Sequence, residues 1–168
     1  MILSCENDIE KINLITNTND LPNHSAKNIK IVHTDSARLR LTLEAPELNG
    51  YTEIEKPYTE FPQGLKASFY NRSENLESVI TAEYAIYFDE TEIWEAKNNV
   101  VAKNVIENRK LETEQLFWDQ KNELLYSEKF VKVTTEDEII YGDGFESDQN
   151  FTKWKILKPK GTINLKEE

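Results

Sequence analysis

The chain has little of what chemistry-bearing sequences usually carry. It has one cysteine, Cys5, so neither an intramolecular disulfide nor a Cys-based zinc cluster can form. Its two histidines, His24 and His33, stand without partners at metal-ligand spacing. No run approaches the roughly 18 consecutive apolar residues of a membrane span. Positive charge is also scarce. With 20 Lys and Arg against 31 Asp and Glu, the formal net charge is −11, which opposes binding to a phosphate backbone and argues against nucleic acid as a partner. It equally opposes adsorption of the domain body to an anionic membrane surface.

Catalytic signatures are missing too. There is no Gly-rich phosphate loop, no nucleophile elbow and no His–carboxylate arrangement suggestive of a triad. Acidic residues are so abundant that some pair would fall at glycosidase distance in almost any fold, and such abundance carries no information. Glu136, Asp137, Glu138 and Asp143 could be drawn as a calcium site, but their spacing fits no calcium loop. The sequence therefore reads as a non-enzyme with no cofactor and no metal.

What is present is repetition. Ile80-x-Ala82-x-x-Ala85-x-Tyr87 lies in register over Leu111-x-Thr113-x-x-Leu116-x-Trp118. The offset of 31 persists, with Ile93 over Leu124, Trp94 over Leu125, Val100 over Val131 and Ala102 over Val133 (131 − 100 = 31). A weaker copy opens at Leu43-x-Ala45-x-x-Leu48. A period of this size implies stacked units that cannot bury their apolar face alone.

Residues 6–36 are polar and rich in Asn, Asp and Thr, with a loop at Asn19–Asn23. They read as a flexible linker, with room for a short strand at Ile29–Val32. Strict alternation begins at Arg38 and puts Leu39, Leu41, Leu43 and Ala45 on one face of a half-buried strand. Pro46, Gly50, Pro57, Pro62 and Gly64 are expected to cut the chain beyond Ala45 into short pieces. Leu65–Tyr70 and Leu76–Tyr84 then form a hairpin around Asn71–Asn75.

Between Gly64 and Gly142 there is no Gly or Pro, and the Glu, Lys and Ala of Glu90–Phe117 would suit helices. Turn clusters decide for strands. They recur at Asn98-Asn99, Glu107-Asn108, Asp119–Asn122, Ser127–Lys129, Glu136-Asp137 and Gly142–Gly144, too closely for helices. Alternation returns at Phe151–Leu157, and after Pro159 and Gly161 a last short strand is expected at Thr162–Leu165. Lys153, Lys155, Lys158, Lys160 and Lys166 make a positive cluster there, readable as protection of an edge strand or as a docking element.

This pattern defines one face. Leu41, Leu43, Phe69, Ile80, Val100, Leu111, Val131, Ile140 and Phe145 line one side of a long antiparallel sheet. A closed sheet makes that face a solid core, as in a structural or adhesive β-domain. An open one makes it a groove for acyl chains.

Several blocks resemble the LptC family, the periplasmic component of the lipopolysaccharide export bridge, in its Bacteroidetes-type form. They are Phe61-Pro62-Gln63-Gly64-Leu65 with Phe69-Tyr70-Asn71, Ala82-x-x-Ala85, Asn99-Val100-Val101-Ala102, and Leu111-x-Thr113-Glu114-x-Leu116-x-Trp118-Asp119. The most specific is Tyr141-Gly142-Asp143-Gly144-Phe145-Glu146-Ser147. The resemblance implies an all-β, open β-jellyroll of stacked antiparallel strands (the OstA-like, Lpt-type fold) over residues 37–168. It implies lipopolysaccharide as ligand, with its acyl chains in the groove. It also implies an inner-membrane lipopolysaccharide ABC transporter as donor, facing the strands near Leu39–Ala45. A periplasmic bridge jellyroll protein would be the acceptor, docked strand to strand at an edge carrying Trp154, Ile156, Ile163 and Leu165. Many relatives hold the membrane with an N-terminal helix, which this sequence lacks. Met1–Cys5 looks like the remnant of a lipoprotein signal, so the resemblance implies periplasmic placement with a lipidated Cys5 as the inner-membrane anchor.

Overall fold

The structure, a computed structural model, describes residues 21–165. These residues form eleven strands and no helix. They are β1 (His24–Asp35), β2 (Arg38–Tyr51), β3 (Tyr58–Phe61), β4 (Leu65–Tyr70), β5 (Leu76–Ala82) and β6 (Tyr84–Phe88). β7 (Ile93–Asn104), β8 (Arg109–Asp119), β9 (Leu124–Thr134), β10 (Glu138–Asp148) and β11 (Trp154–Asn164) complete the order. Every pairing is antiparallel and all strands belong to one sheet. The all-β, jellyroll-like architecture expected from the sequence is what the chain forms.

The sheet closes a ring at one end and runs out as an arm at the other. β7 pairs β6 through Ile93–Lys97 and β5 through Val101–Asn104. β2 likewise pairs β4 through Leu41–Glu44 and β3 through Asn49–Tyr51. The β4–β5 and β3–β6 pairs thus bridge β2 to β7 side by side. From β7 the sheet continues as β8, β9, β10 and β11. It also wraps over itself: Phe69 on β4 meets Trp118 on β8 edge-on, ring centroids 5.3 Å apart, although β5 and β7 lie between those strands.

Bulges provide the bend. The register shifts between Lys97 and Val100 on β7, between Thr113 and Phe117 on β8, and between Asp143 and Phe145 on β10. Asn98 and Asn99 have φ of 62° and 49°, and Gly144 has φ 75°. An extra residue in neighbouring strands bends them together and increases the local twist. Side chains satisfy the backbone there. Thr113 Oγ1 donates to the Phe130 carbonyl at 2.9 Å, and Ser127 Oγ accepts from Lys129 N–H at 3.1 Å. The clusters at Asn98-Asn99, Ser127–Lys129 and Gly142–Gly144, expected as turns, therefore lie inside long strands. At Asn98-Asn99 and Gly144 the same residue types permit both, because turn and bulge alike need a backbone conformation that Asn and Gly tolerate.

The 31-residue offset also has its explanation. In the ladder Ile80–Ala102–Leu111–Val133–Ile140 each residue pairs the next across neighbouring strands. Positions 31 apart sit two strands apart on the same face: Ile80 and Leu111 flank Ala102, and Val100 and Val131 flank Thr113. The interior face carries the main core, where Val100, Leu111, Val131, Val133 and Phe145 are fully buried. Leu43, Ala45, Phe61 and Ala85 make a second cluster on the strands of the ring.

Four expectations are corrected. Residues 24–35 of the expected linker form β1, paired along β2 from His24↔Gly50 to Asp35↔Arg38, so the folded body begins well before residue 37. β1 is exposed on both faces along nearly its whole length, so no alternation marks it. The β2 edge is consequently covered by β1 and offers no free backbone near Leu39–Ala45. Next, β2 runs through Pro46 and Gly50. Pro46 needs no ladder partner, since β4 pairs β2 only to Glu44 and β3 only from Asn49. The returning strand of the first hairpin ends at Ala82, and Tyr84 begins β6. Finally, β11 is continuous through Pro159, while Phe151 precedes it in a loop. Residues 6–20 of the expected linker, the Met1–Cys5 remnant and Lys166 lie outside the described residues.

Candidate apolar slot

Within the ring the inner side chains do not quite meet. They leave an apolar slot with a cavity of about 40 Å³, room for about three or four water-sized groups at roughly 10–15 Å³ each. Its walls come from β2 (Leu41, Leu43), β4 (Ala67, Phe69), β7 (Trp94) and β8 (Trp118), with Leu65, Ile80, Ala85, Ala96 and Leu116 completing the lining. Alternation on each strand places these side chains inward while charged neighbours face out.

Beside the slot lies a wider mouth of about 300 Å³. Leu41, Phe69 and Trp118 line both spaces and form the throat where the two abut. The rim is polar, with His33, Asp35 and Arg40 from the β1–β2 hairpin and Glu123, Gln149 and Asn150 from the loops opposite. Asp148 fixes the last of these loops. Its carboxylate accepts from the Thr152 N–H at 2.6 Å, the Lys153 N–H at 3.3 Å and the Thr152 hydroxyl. Burial opposes its charge, but these donors together hold the carboxyl below the usual range. The loop in turn inserts Phe151, at φ 57°, against Phe145 and Trp154.

An aromatic row backs the slot. Trp94 stacks on Phe61 at 5.6 Å, tilts against Tyr87 at 4.7 Å and faces Trp118 at 6.3 Å. One acidic residue borders the lining. Glu95 is 8% exposed, paired with Lys97 Nζ at 3.0 Å, and accepts from the Gln115 amide. Nearby on the outer face Tyr84 donates to Glu60 at 2.8 Å, and burial, together with that carboxylate, pushes its hydroxyl pKa far up.

The residues expected to line a groove divide into three sets. Leu41, Leu43, Phe69 and Ile80 line the slot. Val100, Leu111, Val131 and Phe145 face the same interior but are close-packed at 0–1% exposure. Ile140 shares the inner face with its partner Val133 and is half-buried. The docking-edge residues also divide. Trp154 and Ile156 pack against the core, whereas Ile163 and Leu165 are 51% and 47% exposed on or next to the last strand of the sheet. Two lysines of the C-terminal cluster are engaged with β10: Lys155 with Glu146 at 2.7 Å and Lys160 with Asp143 at 2.6 Å.

Trp94 and Trp118, the largest wall residues, were not expected there. The signal existed in the hairpin around Glu107-Asn108, which brings Trp94 opposite Trp118 once the bulge at Asn98-Asn99 is allowed for. Among the described residues no three His, Cys, Asp or Glu side chains converge as metal ligands. The arrangement is equipped to hold an apolar group, with polar contacts at its mouth. No protein-family model matches the chain, and no curated protein matches it significantly.

Proposed function

We propose that the chain is a non-enzymatic, periplasmic lipopolysaccharide-binding component of the lipopolysaccharide export bridge. In this reading it accepts lipid from an inner-membrane ABC transporter and passes it to the next jellyroll through its apolar interior. The observation that carries the reading is the set Leu41, Phe69 and Trp118, which lines both an apolar slot and the polar-rimmed mouth beside it. An amphipathic lipid has that same division into chain and head. The sheet also ends at β1 on one side and β11 on the other, and strand addition at such edges is how successive jellyrolls would be joined. The resemblance of the Phe61–Leu65 and Tyr141–Ser147 blocks to the LptC family names the lipid and the partners. Anchoring through a lipidated Cys5 belongs to the same proposal.

Photo-crosslinking in cells tests it. A photoreactive residue at Leu41, Phe69 or Trp118 is expected to capture lipopolysaccharide, and one at Glu112 or Lys132 on the outer face is not. Capture only from the outer positions overturns the reading. A second reading, a structural or adhesive β-domain, is favoured by the small empty volume of the slot and the close packing of Val100, Leu111, Val131 and Phe145. It expects Leu41→Glu to unfold the protein as thoroughly as Leu111→Glu.

A further inference from the structure

The turn between β7 and β8 carries two apolar side chains that the fold does not use. Val105 and Ile106 stand at its tip, 51% and 59% exposed. The Val105 N–H donates to the Glu77 carbonyl at 2.8 Å, and Leu76, itself 38% exposed, directly precedes Glu77 on β5. The tip is held firmly from below. Asn104, 2% exposed, accepts from the Glu107 N–H at 2.9 Å and donates to the Asn150 carbonyl at 3.0 Å. Arg109 pairs with Glu107 and donates to the Thr152 carbonyl at 2.9 Å. Such a reversal is ordinarily built from Asn, Asp, Ser or Gly, and Val and Ile add nothing to it while their apolar surface stays in water. The repeat supplies an internal comparison. At the offset of 31, the β9–β10 turn is closed in the same way, with Thr135 Oγ1 accepting from the Glu138 N–H at 3.1 Å. There Glu136 and Asp137 occupy the positions of Val105 and Ile106.

We propose that this tip is a membrane contact: Val105 and Ile106, supported by Leu76, enter the interface of a phospholipid bilayer while the basic residues behind them meet lipid phosphates. Charge selects that occupant. Lys103, Arg109 and Lys110 flank the tip, with Glu107 the only carboxylate between residues 103 and 110, in a chain whose net charge is −11. An anionic surface repels the acidic body, so contact is confined to a point where the local charge is reversed. Shape agrees with charge. Neighbouring residues that are both more than half exposed form an apolar protrusion, not a groove. A fluid bilayer surrounds a protrusion without a matching cavity, whereas a protein partner must supply a pocket for it. Three side chains give weak, reversible adsorption, suited to orienting the body on a surface rather than holding it there. The proposal stands apart from the interior slot and its ligand.

Flotation of the full chain with vesicles of phosphatidylcholine and phosphatidylglycerol, free of lipopolysaccharide, tests it. The unsubstituted protein is expected to float with the vesicles, and less so as salt is raised. The double variant Val105→Glu, Ile106→Asp copies the β9–β10 turn and is expected to bind at least about tenfold more weakly, since burial of one Ile is worth that factor. On the same vesicles a photoreactive residue at Ile106 should capture phospholipid, and one at Asp137 should not. Equal flotation of protein and variant, or flotation of neither, overturns the proposal and leaves the lipid-slot reading standing. Capture at Ile106 of a protein chain and no phospholipid in cells overturns it in favour of a protein partner. Should the double variant fail to fold, the crosslinks at Ile106 and Asp137 still decide.

Discussion

Leu111 and Leu41 are the same residue type on the same inner face, and truncating each separates packed core from slot. Leu111 is 1% exposed and pairs with Ala102 on one side and Val133 on the other, both buried. Removing its three outer carbons loses their burial and leaves a hole that rigid neighbouring strands cannot collapse. Leu111→Ala should therefore cost about 3 kcal/mol. Leu41 is half-buried and already borders empty space at the throat. Little new cavity forms there, so Leu41→Ala should cost about 1 kcal/mol. For a chain of this length each kcal/mol moves the melting temperature by roughly 2–4 °C. The first variant should then melt roughly 6–12 °C lower and the second roughly 2–4 °C lower. Urea unfolding monitored by tryptophan fluorescence measures both, and lipid binding should show the opposite order, with Leu41→Ala the more impaired. Equal destabilisation by the two variants would falsify the distinction between a packed arm and a bordered slot.

Further outcomes are expected at particular residues. Gly64 has φ 78°, and a Cβ there would lie 2.2 Å from the Ala82 carbonyl oxygen. Gly64→Ala should destabilise by about 2 kcal/mol or more in chemical unfolding, since backbone must move. The folded-state pKa of Asp148 is depressed, so its contribution is present above the ordinary carboxyl range, near pH 4, and is lost as pH falls through the lower folded value. Asp148→Asn should accordingly lower stability at pH 7 and flatten its decline between roughly pH 4 and 2, as read from urea midpoints across pH. Amide exchange decides whether residues 24–35 are strand or tether: Ile29 and Ile31, paired with Ala45 and Leu43, should exchange at least about tenfold slower than an unstructured chain. At the other edge, a photoreactive group at Ile163 should capture a partner chain in cells, while one at the core-packed Ile156 should not.

How much could be read beforehand depended on whether a signal was local. β4 stands where expected, because Leu65–Tyr70 alternates between a Gly and an Asn turn. The start of β2 at Arg38 was equally plain. Of β1 only the short strand at Ile29–Val32 was legible, since a strand held mainly by backbone bonds with both faces in solvent leaves little periodic trace beyond it. Bulges read as turns for a related reason: Asn98-Asn99 and Gly144 announce an unusual backbone angle without saying whether the chain reverses or only bends. The inner face emerged from alternation and the repeat. The division of that face into packed arm and bordered slot could not, because it depends on which strands cross the fold toward each other. Phe69 meets Trp118 only once the sheet has wrapped.

The offset of 31 residues has a consequence for how such a chain can change in length. β7 with β8, where the arm leaves the ring, and β9 with β10 beyond it are successive antiparallel pairs sharing one inner face. An in-phase duplication of the β9–β10 pair would extend the arm by two strands and preserve inward and outward parity. A slip of one residue would instead turn apolar side chains outward. Growth in this fold is thus quantised: the reach of the arm can be lengthened in whole hairpins while the ring stays as it is.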